Sequence, residues 1–239
     1  MGISRRTLLL GGAALVGTAG VAGALTPPGR RFLGWTGPDG VVPDVPPVPV
    51  VATPWGAWMG TDGPVVLVLH GRGGSVAWWE ELGLPRFLAA SGSRMRFAVV
   101  NGGEDYWVGL TPPVPFEAAL GVSMGGFGVL DIATRRALRA VAAISPAVFP
   151  SWEDAERING FASREVWEAH EPLRRASSIG SPVGVWCGRE DPFHDAAVEV
   201  ARSARAEVGS FEHGAHDVGY WRRVLPEAVR FIGDRLTGR

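Results

Sequence analysis

Phe116-Glu117-Ala118-Ala119-Leu120-Gly121-Val122-Ser123-Met124-Gly125 is the stretch on which the fold turns. Phe116 to Leu120 reads as a short strand, and Phe127, Leu130, Ala133 and Ala137 then recur at helical spacing. Between strand and helix lies Gly121-Val122-Ser123-Met124-Gly125, the G-x-S-x-G pattern of a nucleophile elbow. The chemistry requires these residue types. A serine swung out on a sharp strand-to-helix turn sits in strained backbone, and only small residues two before and two after it fit the turn. The amide of Met124, first in the helix, then faces whatever Ser123 attacks and is a candidate oxyanion donor.

Outward from the elbow, the chain alternates strands and helices. Val65-Val66-Leu67-Val68-Leu69 is a continuous apolar run, as expected of a strand buried on both faces of a parallel sheet, and it ends at His70-Gly71-Arg72-Gly73-Gly74. A helix from Trp78 to Ala90, broken at Pro85, and a strand Phe97-Ala98-Val99-Val100 follow. Beyond the elbow come a strand at Val141-Ala142-Ala143-Ile144, a small helical insert at about residues 151–176 and a strand at 182–187. A helix over 195–206, a short strand at 210–212 and a C-terminal helix marked by Leu225, Ala228, Val229, Ile232 and Leu236 complete the pattern. Four to six parallel strands alternating with helices predict a doubly wound, mostly parallel α/β sheet with helices on both faces and its site at the carboxyl ends of the strands.

A serine nucleophile needs a base and a carboxylate to orient that base, and in this architecture they follow in the order Ser, acid, His. Asp191 lies just past the strand ending at Cys187, in a loop fixed by Gly188 and Pro192, with Glu190 as its rival. His216, between the last strand and the C-terminal helix, is the expected base. His213 competes with it, His194 is too near the acid loop, and His170 falls in the insert. The glycine-rich loop after the first central strand offers a second oxyanion donor, the amide of Arg72. His70 and Cys187 read as structural.

Composition bounds the remaining readings. The 239 residues, 46% hydrophobic and 20% charged, suit one domain with a sizeable core. A formal charge of -1 without a long basic run argues against a nucleic-acid partner, and the single cysteine excludes an intramolecular disulfide. Ser4-Arg5-Arg6-Thr7-Leu8-Leu9 and the Gly/Ala-rich run after it read as a twin-arginine signal over residues 1–24. Cleavage is expected after Ala22-Gly23-Ala24, with export to periplasm, cell envelope or medium and membrane contact only through an uncleaved signal. Residues 25–64, rich in Pro and Gly, read as a linker or lid before the main domain at 65–239.

As a set, Leu69-His70-Gly71-Arg72-Gly73-Gly74, residues 101–107, Gly121-Val122-Ser123-Met124-Gly125-Gly126, residues 187–193 and residues 214–221 resemble the esterases of the esterase D and mycolyltransferase group. The resemblance implies an α/β-hydrolase fold and hydrolysis of small-molecule or lipid-like carboxylic esters through an acyl-serine, with no cofactor and no metal. It implies Ser123, Asp191 and His216 as the triad and Arg72 and Met124 at the oxyanion hole. The alternatives are acyl transfer of the mycolyltransferase type, with Trp78, Trp79 and Trp107 as candidates to line an acceptor site, and an inactive hydrolase-fold envelope protein. Two departures stand out. Where the family has a helix before the nucleophile strand, this chain has only residues 102–115, with Pro112, Pro113 and Pro115, and the part before Val65 lacks a clear strand pair. The expectation is a thinly covered sheet face and, from either departure, an apolar patch that dimerises or a destabilised, inactive relative.

Overall fold

A computed structural model describes residues 37–102 and 105–238, so the signal reading at 1–24 lies outside the described residues. Eight strands form one sheet. They are β1 (Val50–Thr53), β2 (Gly56–Met59), β3 (Val65–Leu69), β4 (Arg96–Val100), β5 (Ala118–Val122), β6 (Ala140–Ile144), β7 (Val183–Trp186) and β8 (Val208–Ser210). Their order is β1-β2-β4-β3-β5-β6-β7-β8, and the six from β4 to β8 run parallel. The helices are α1 (Val76–Leu82), α2 (Leu84–Ser91), α3 (Met124–Ala133), α4 (Trp152–Glu156), α5 (Arg164–His170), α6 (His194–Ser203) and α7 (Val218–Thr237).

The apolar runs become the centre of the sheet because alternate residues serve opposite faces. Val66, Val68, Leu120, Ala142 and Ile144 pack under α1, α2 and α7, whereas Leu67, Leu69, Ala119, Val141 and Ala143 pack under α3 and α6. All are fully buried. The helix expected over 78–90 breaks at Gly83 (φ 97°) rather than at Pro85, which takes its favoured place in the first turn of α2.

Two expectations need correction. Residues 50–59, read as linker or lid, form the antiparallel hairpin β1–β2, which pairs with β4 and extends the sheet. The stretch before it is pinned down: Gly40 N–H donates to Gly219 O (2.8 Å), and Val48 N–H to Pro85 O (3.2 Å). The second concerns residues 105–116. They carry no helix, yet no large apolar side chain is exposed there: Tyr106, Trp107 and Phe116 are each at most 5% exposed and join the core cluster of Leu69 and Phe127, with the Tyr106 ring 5.3 Å from that of Phe127.

Tyr106 and Trp107 both adopt left-handed backbone (φ 57° and 61°), which turns their rings inward. Gly102 and Gly128 make room: a Cβ on either would meet the Trp107 side chain, at 2.0 and 2.8 Å. The Trp107 indole N–H also ties the crossover to the loop after β3 by donating to His70 O (3.1 Å).

Candidate active site

Ser123 sits between β5 and α3 with φ 57° and ψ −119°, the strained geometry expected of an elbow. The small neighbours are required by contact. A Cβ at Gly121 would lie 2.1 Å from Gly125 O, and one at Gly125 would lie 2.0 Å from Leu69 O. Three backbone hydrogen bonds hold the turn: Ser123 N–H to Ile144 O (2.9 Å), Phe127 N–H to Ser123 O (3.0 Å) and Ala147 N–H to Ser123 O (3.1 Å).

The structure brings Ser123, His216 and Asp191 together. The Ser123 Oγ lies 2.9 Å from His216 Nε2, and His216 Nδ1 lies 2.8 Å from Asp191 Oδ2. Since an ionised carboxylate can only accept, Nδ1 carries the proton and Nε2 is left to accept from the serine hydroxyl. Asp191 is 4% exposed, and burial alone would raise its pKa. The His216 hydrogen bond and charge, the Phe193 amide (2.9 Å to Oδ1) and the Ser145 hydroxyl outweigh burial and hold the carboxyl below its ordinary value. It therefore stays ionised at neutral pH. Two aromatic rings flank the imidazole, Trp221 at 5.2 Å and Phe193 at 5.3 Å between centroids.

The rival acid and the rival base take each other as partners. Glu190 Oε1 lies 2.7 Å from His213 Nδ1, and Glu190 Oε2 accepts the Gly214 amide (2.7 Å). They hold the acid loop against the histidine loop instead of reaching Ser123. Backbone pairing continues past the strand ends: Cys187 N–H donates to Ser210 O (3.0 Å), Arg189 N–H to Glu212 O (2.8 Å) and Glu190 N–H to Gly214 O (2.9 Å). His194 pairs with Asp195, and His170 with the buried Asp131. Burial, then the Asp191 charge, pushes the Cys187 thiol up, so it stays protonated and unreactive.

Both oxyanion candidates border the nucleophile. Met124 opens α3, so its amide is among the N–H groups without a partner in the preceding turn, at the positive end of the helix dipole. The loop bearing Arg72 passes close by: a Cβ at Gly71 would sit 3.3 Å from Ser123 Cβ. His70, 1% exposed, shapes that loop. Its Nε2 accepts from Gly102 N–H (3.2 Å), which leaves the proton on Nδ1 to donate to Gly71 O (2.7 Å). The Arg72 guanidinium donates to Ile158 O and so fastens the insert between α4 and α5 to the same loop. Sequence reasoning missed Ser145, whose hydroxyl meets both Asp191 and the Trp221 indole N–H (3.1 Å); a serine directly before a proline carried no pattern that marked it.

Among the described residues, no group of three or more His, Cys, Asp or Glu side chains is placed to hold a metal ion, and no helix is long and apolar enough to cross a membrane.

No protein-family model and no curated protein sequence matches the chain. Solved structures do resemble it. An S-formylglutathione hydrolase from Agrobacterium tumefaciens superposes with TM-score 0.57 at 14% identity, over 80% of this chain and 100% of that one. An esterase/lipase from an uncultured bacterium gives TM-score 0.57 at 16% identity, over 83% and 88%. The fluorophosphonate-binding serine hydrolase FphF of Staphylococcus aureus gives 0.54 at 15% identity, over 72% and 84%. Identities this low speak to architecture alone, and together with the strand order and the elbow they identify it: this chain has the α/β-hydrolase fold.

Proposed function

We propose that the protein is a serine hydrolase that cleaves small-molecule carboxylic esters through an acyl-serine intermediate. The observation that carries this reading is the unbroken relay Ser123 Oγ, His216 Nε2, His216 Nδ1, Asp191 Oδ2, with both links under 3 Å. His216 takes the hydroxyl proton as Ser123 attacks the ester carbonyl. The imidazolium so formed is stabilised by the ionised Asp191. The Met124 and Arg72 amides are the donors assigned to the tetrahedral oxyanion, whose loss elsewhere costs roughly 100- to 1000-fold in turnover per donor. The imidazolium then gives its proton to the departing alcohol, and water, deprotonated by the same His216, releases the acid.

Hydrolysis is favoured over transfer to a bulky acceptor because two of the three tryptophans considered for such a site are core residues. Trp79 is 0% and Trp107 4% exposed, leaving Trp78. Assembly of the relay also speaks against an inactive envelope protein. Export by the twin-arginine route is part of the proposal and rests on Ser4 to Leu9 and the run that follows; an N-terminal sequence of the exported protein starting at Leu25 is the expected result.

Labelling of the signal-free protein with a fluorophosphonate tests the activity. The parent is expected to take up one label per chain, and Ser123→Ala, folded by circular dichroism, none. An unlabelled, folded parent would refute the proposal.

A further inference from the structure

Ser145 follows β6 directly, is fully buried, and holds φ at 46°, a left-handed conformation that costs a side-chain-bearing residue and costs glycine almost nothing. Its amide donates to Trp186 O (2.6 Å). A backbone demand alone would be met better by glycine, so the presence of serine points to its hydroxyl. That hydroxyl accepts the Trp221 indole N–H (3.1 Å) and hydrogen-bonds Asp191. Trp221 in turn sets its ring edge against the His216 ring, 5.2 Å between centroids at 88°. The contacts therefore close a circuit from Asp191 to His216, to Trp221, to Ser145 and back to Asp191.

We propose that Ser145 is a positioning residue for this site, fixing the Asp191 carboxylate directly and the His216 ring through Trp221 at the same time. The inference rests on the reading of Ser123, His216 and Asp191 as the catalytic relay. Each carboxylate oxygen of Asp191 already accepts one donor, Phe193 N–H on Oδ1 and His216 Nδ1–H on Oδ2. In a site where Asp191 is 4% exposed, little water can supply a further donor, and the Ser145 hydroxyl does so from within the protein. By anchoring the indole N–H it also fixes the plane of Trp221, and hence the surface against which the imidazole rests. Of the other titratable groups behind Asp191, Cys187 and Tyr220, both pushed up by burial, the Cys187 thiol also hydrogen-bonds the carboxylate, but an S–H is a weaker donor than the Ser145 hydroxyl.

Ser145→Gly separates the hydroxyl from the backbone, since glycine relieves the positive φ while removing the oxygen. In the signal-free protein, with p-nitrophenyl acetate as probe, Ser145→Gly is expected to stay folded, the relief of the positive φ offsetting part of the loss of the hydroxyl's hydrogen bonds. Its kcat/KM is expected to fall about tenfold, the loss of one hydrogen bond to a charged group. The acidic limb of its pH profile should move to higher pH, because a carboxylate with one donor fewer holds the imidazolium proton more tightly. Trp221→Phe keeps the ring and removes the indole N–H; a loss of about threefold without a shift of the limb is expected. A readout without turnover is the downfield NMR signal of the His216 Nδ1 proton, sharp in the parent and broadened in Ser145→Gly. An active parent matched by a folded Ser145→Gly variant with the same kcat/KM, the same acidic limb and the same proton signal would reduce Ser145 to a turn residue. Failure of the esterase reading is distinct: the parent itself would neither turn over nor take a fluorophosphonate label, and the inference would fall with it.

Discussion

The two faces of the sheet solve one burial problem by different means. Under α1, α2 and α7 the apolar side chains of Val66, Val68, Phe97 and Ile144 meet regular helices across the centre of the sheet. On the opposite face α3 covers β3, β5 and β6 and α6 covers β7, and residues 105–116, which form no helix, add the buried rings of Tyr106, Trp107 and Phe116 to the same core. The difference teaches that a crossover needs apolar volume at the right place more than it needs a helix. Tyr106 and Trp107 deliver that volume from left-handed backbone, over glycines that leave them room.

Truncations on the two faces put this to the test. Trp107→Ala is expected to cost about 3–5 kcal/mol, the usual range for a buried tryptophan, and Leu225→Ala on α7 about 2–5 kcal/mol. Only the first should also depress turnover in the protein that remains folded, because the Trp107 indole holds His70 O and with it the oxyanion loop. Urea denaturation alongside esterase rates checks both. Equal losses of stability with unimpaired turnover in Trp107→Ala would show the aromatic cover to be mere filling.

The faces should also differ in their response to pH. Glu171 is fully buried beside α5 on the aromatic side, where it accepts from Phe149 N–H, Trp167 Nε1–H and Leu173 N–H. Burial raises its pKa from 4.5 to about 8, with the charge of Asp131 adding to the effect. Below about pH 4.5 folded and unfolded chains both carry the proton and its contribution is complete; between there and pH 8 only the folded chain keeps it, so stability falls as pH rises through that window. Glu171→Gln should flatten this part of the profile of melting temperature against pH, measured between pH 5 and 9, even if it lowers the melting temperature at the acid end. A parallel profile would overturn the assignment.

The smallest expected effect lies on the helical face. Asp217 caps α7 by accepting from Tyr220 N–H (3.0 Å), and Asp217→Ala should cost about 1 kcal/mol. Since His216 immediately precedes this cap, a change in kcat larger than the change in stability would mean that the cap also aims the base.

How much of this was legible in the sequence depended on whether the signal was local. The run Val65 to Leu69 and the small residues around Ser123 announce themselves because each residue's neighbours in the chain are also the cause of its geometry. The order Ser, Asp, His, with a glycine or proline fixing each loop, led to Ser123, Asp191 and His216, which the structure places in contact. The hairpin β1–β2 escaped because its strands are four residues long, lie among prolines, and expose Val50 and Val51 at the sheet edge, so no alternation is visible. The aromatic cover escaped for a different reason. Whether Trp107 lines a site or fills a core depends on Gly102 and Gly128, and the second of these stands 21 residues away in another element. Ser145 is similar, since its partners Asp191 and Trp221 come from α6's approach and from α7.

The pairing that runs on from β7 and β8 into the two catalytic loops makes the chain between Ser210 and His216 a ruler. Acid and base hang from adjacent, hydrogen-bonded strands, so their separation is set by strand register and by the number of residues past the last pair. A slip of one register step, two residues, would carry the imidazole roughly 6.6 Å along the strand, far outside the reach of a hydrogen bond. Insertions before β8, in the turn after α6, leave that length untouched, whereas a single residue gained or lost between Ser210 and His216 changes it. The fold thus divides its C-terminal third into a stretch where length is free and six residues where it is fixed.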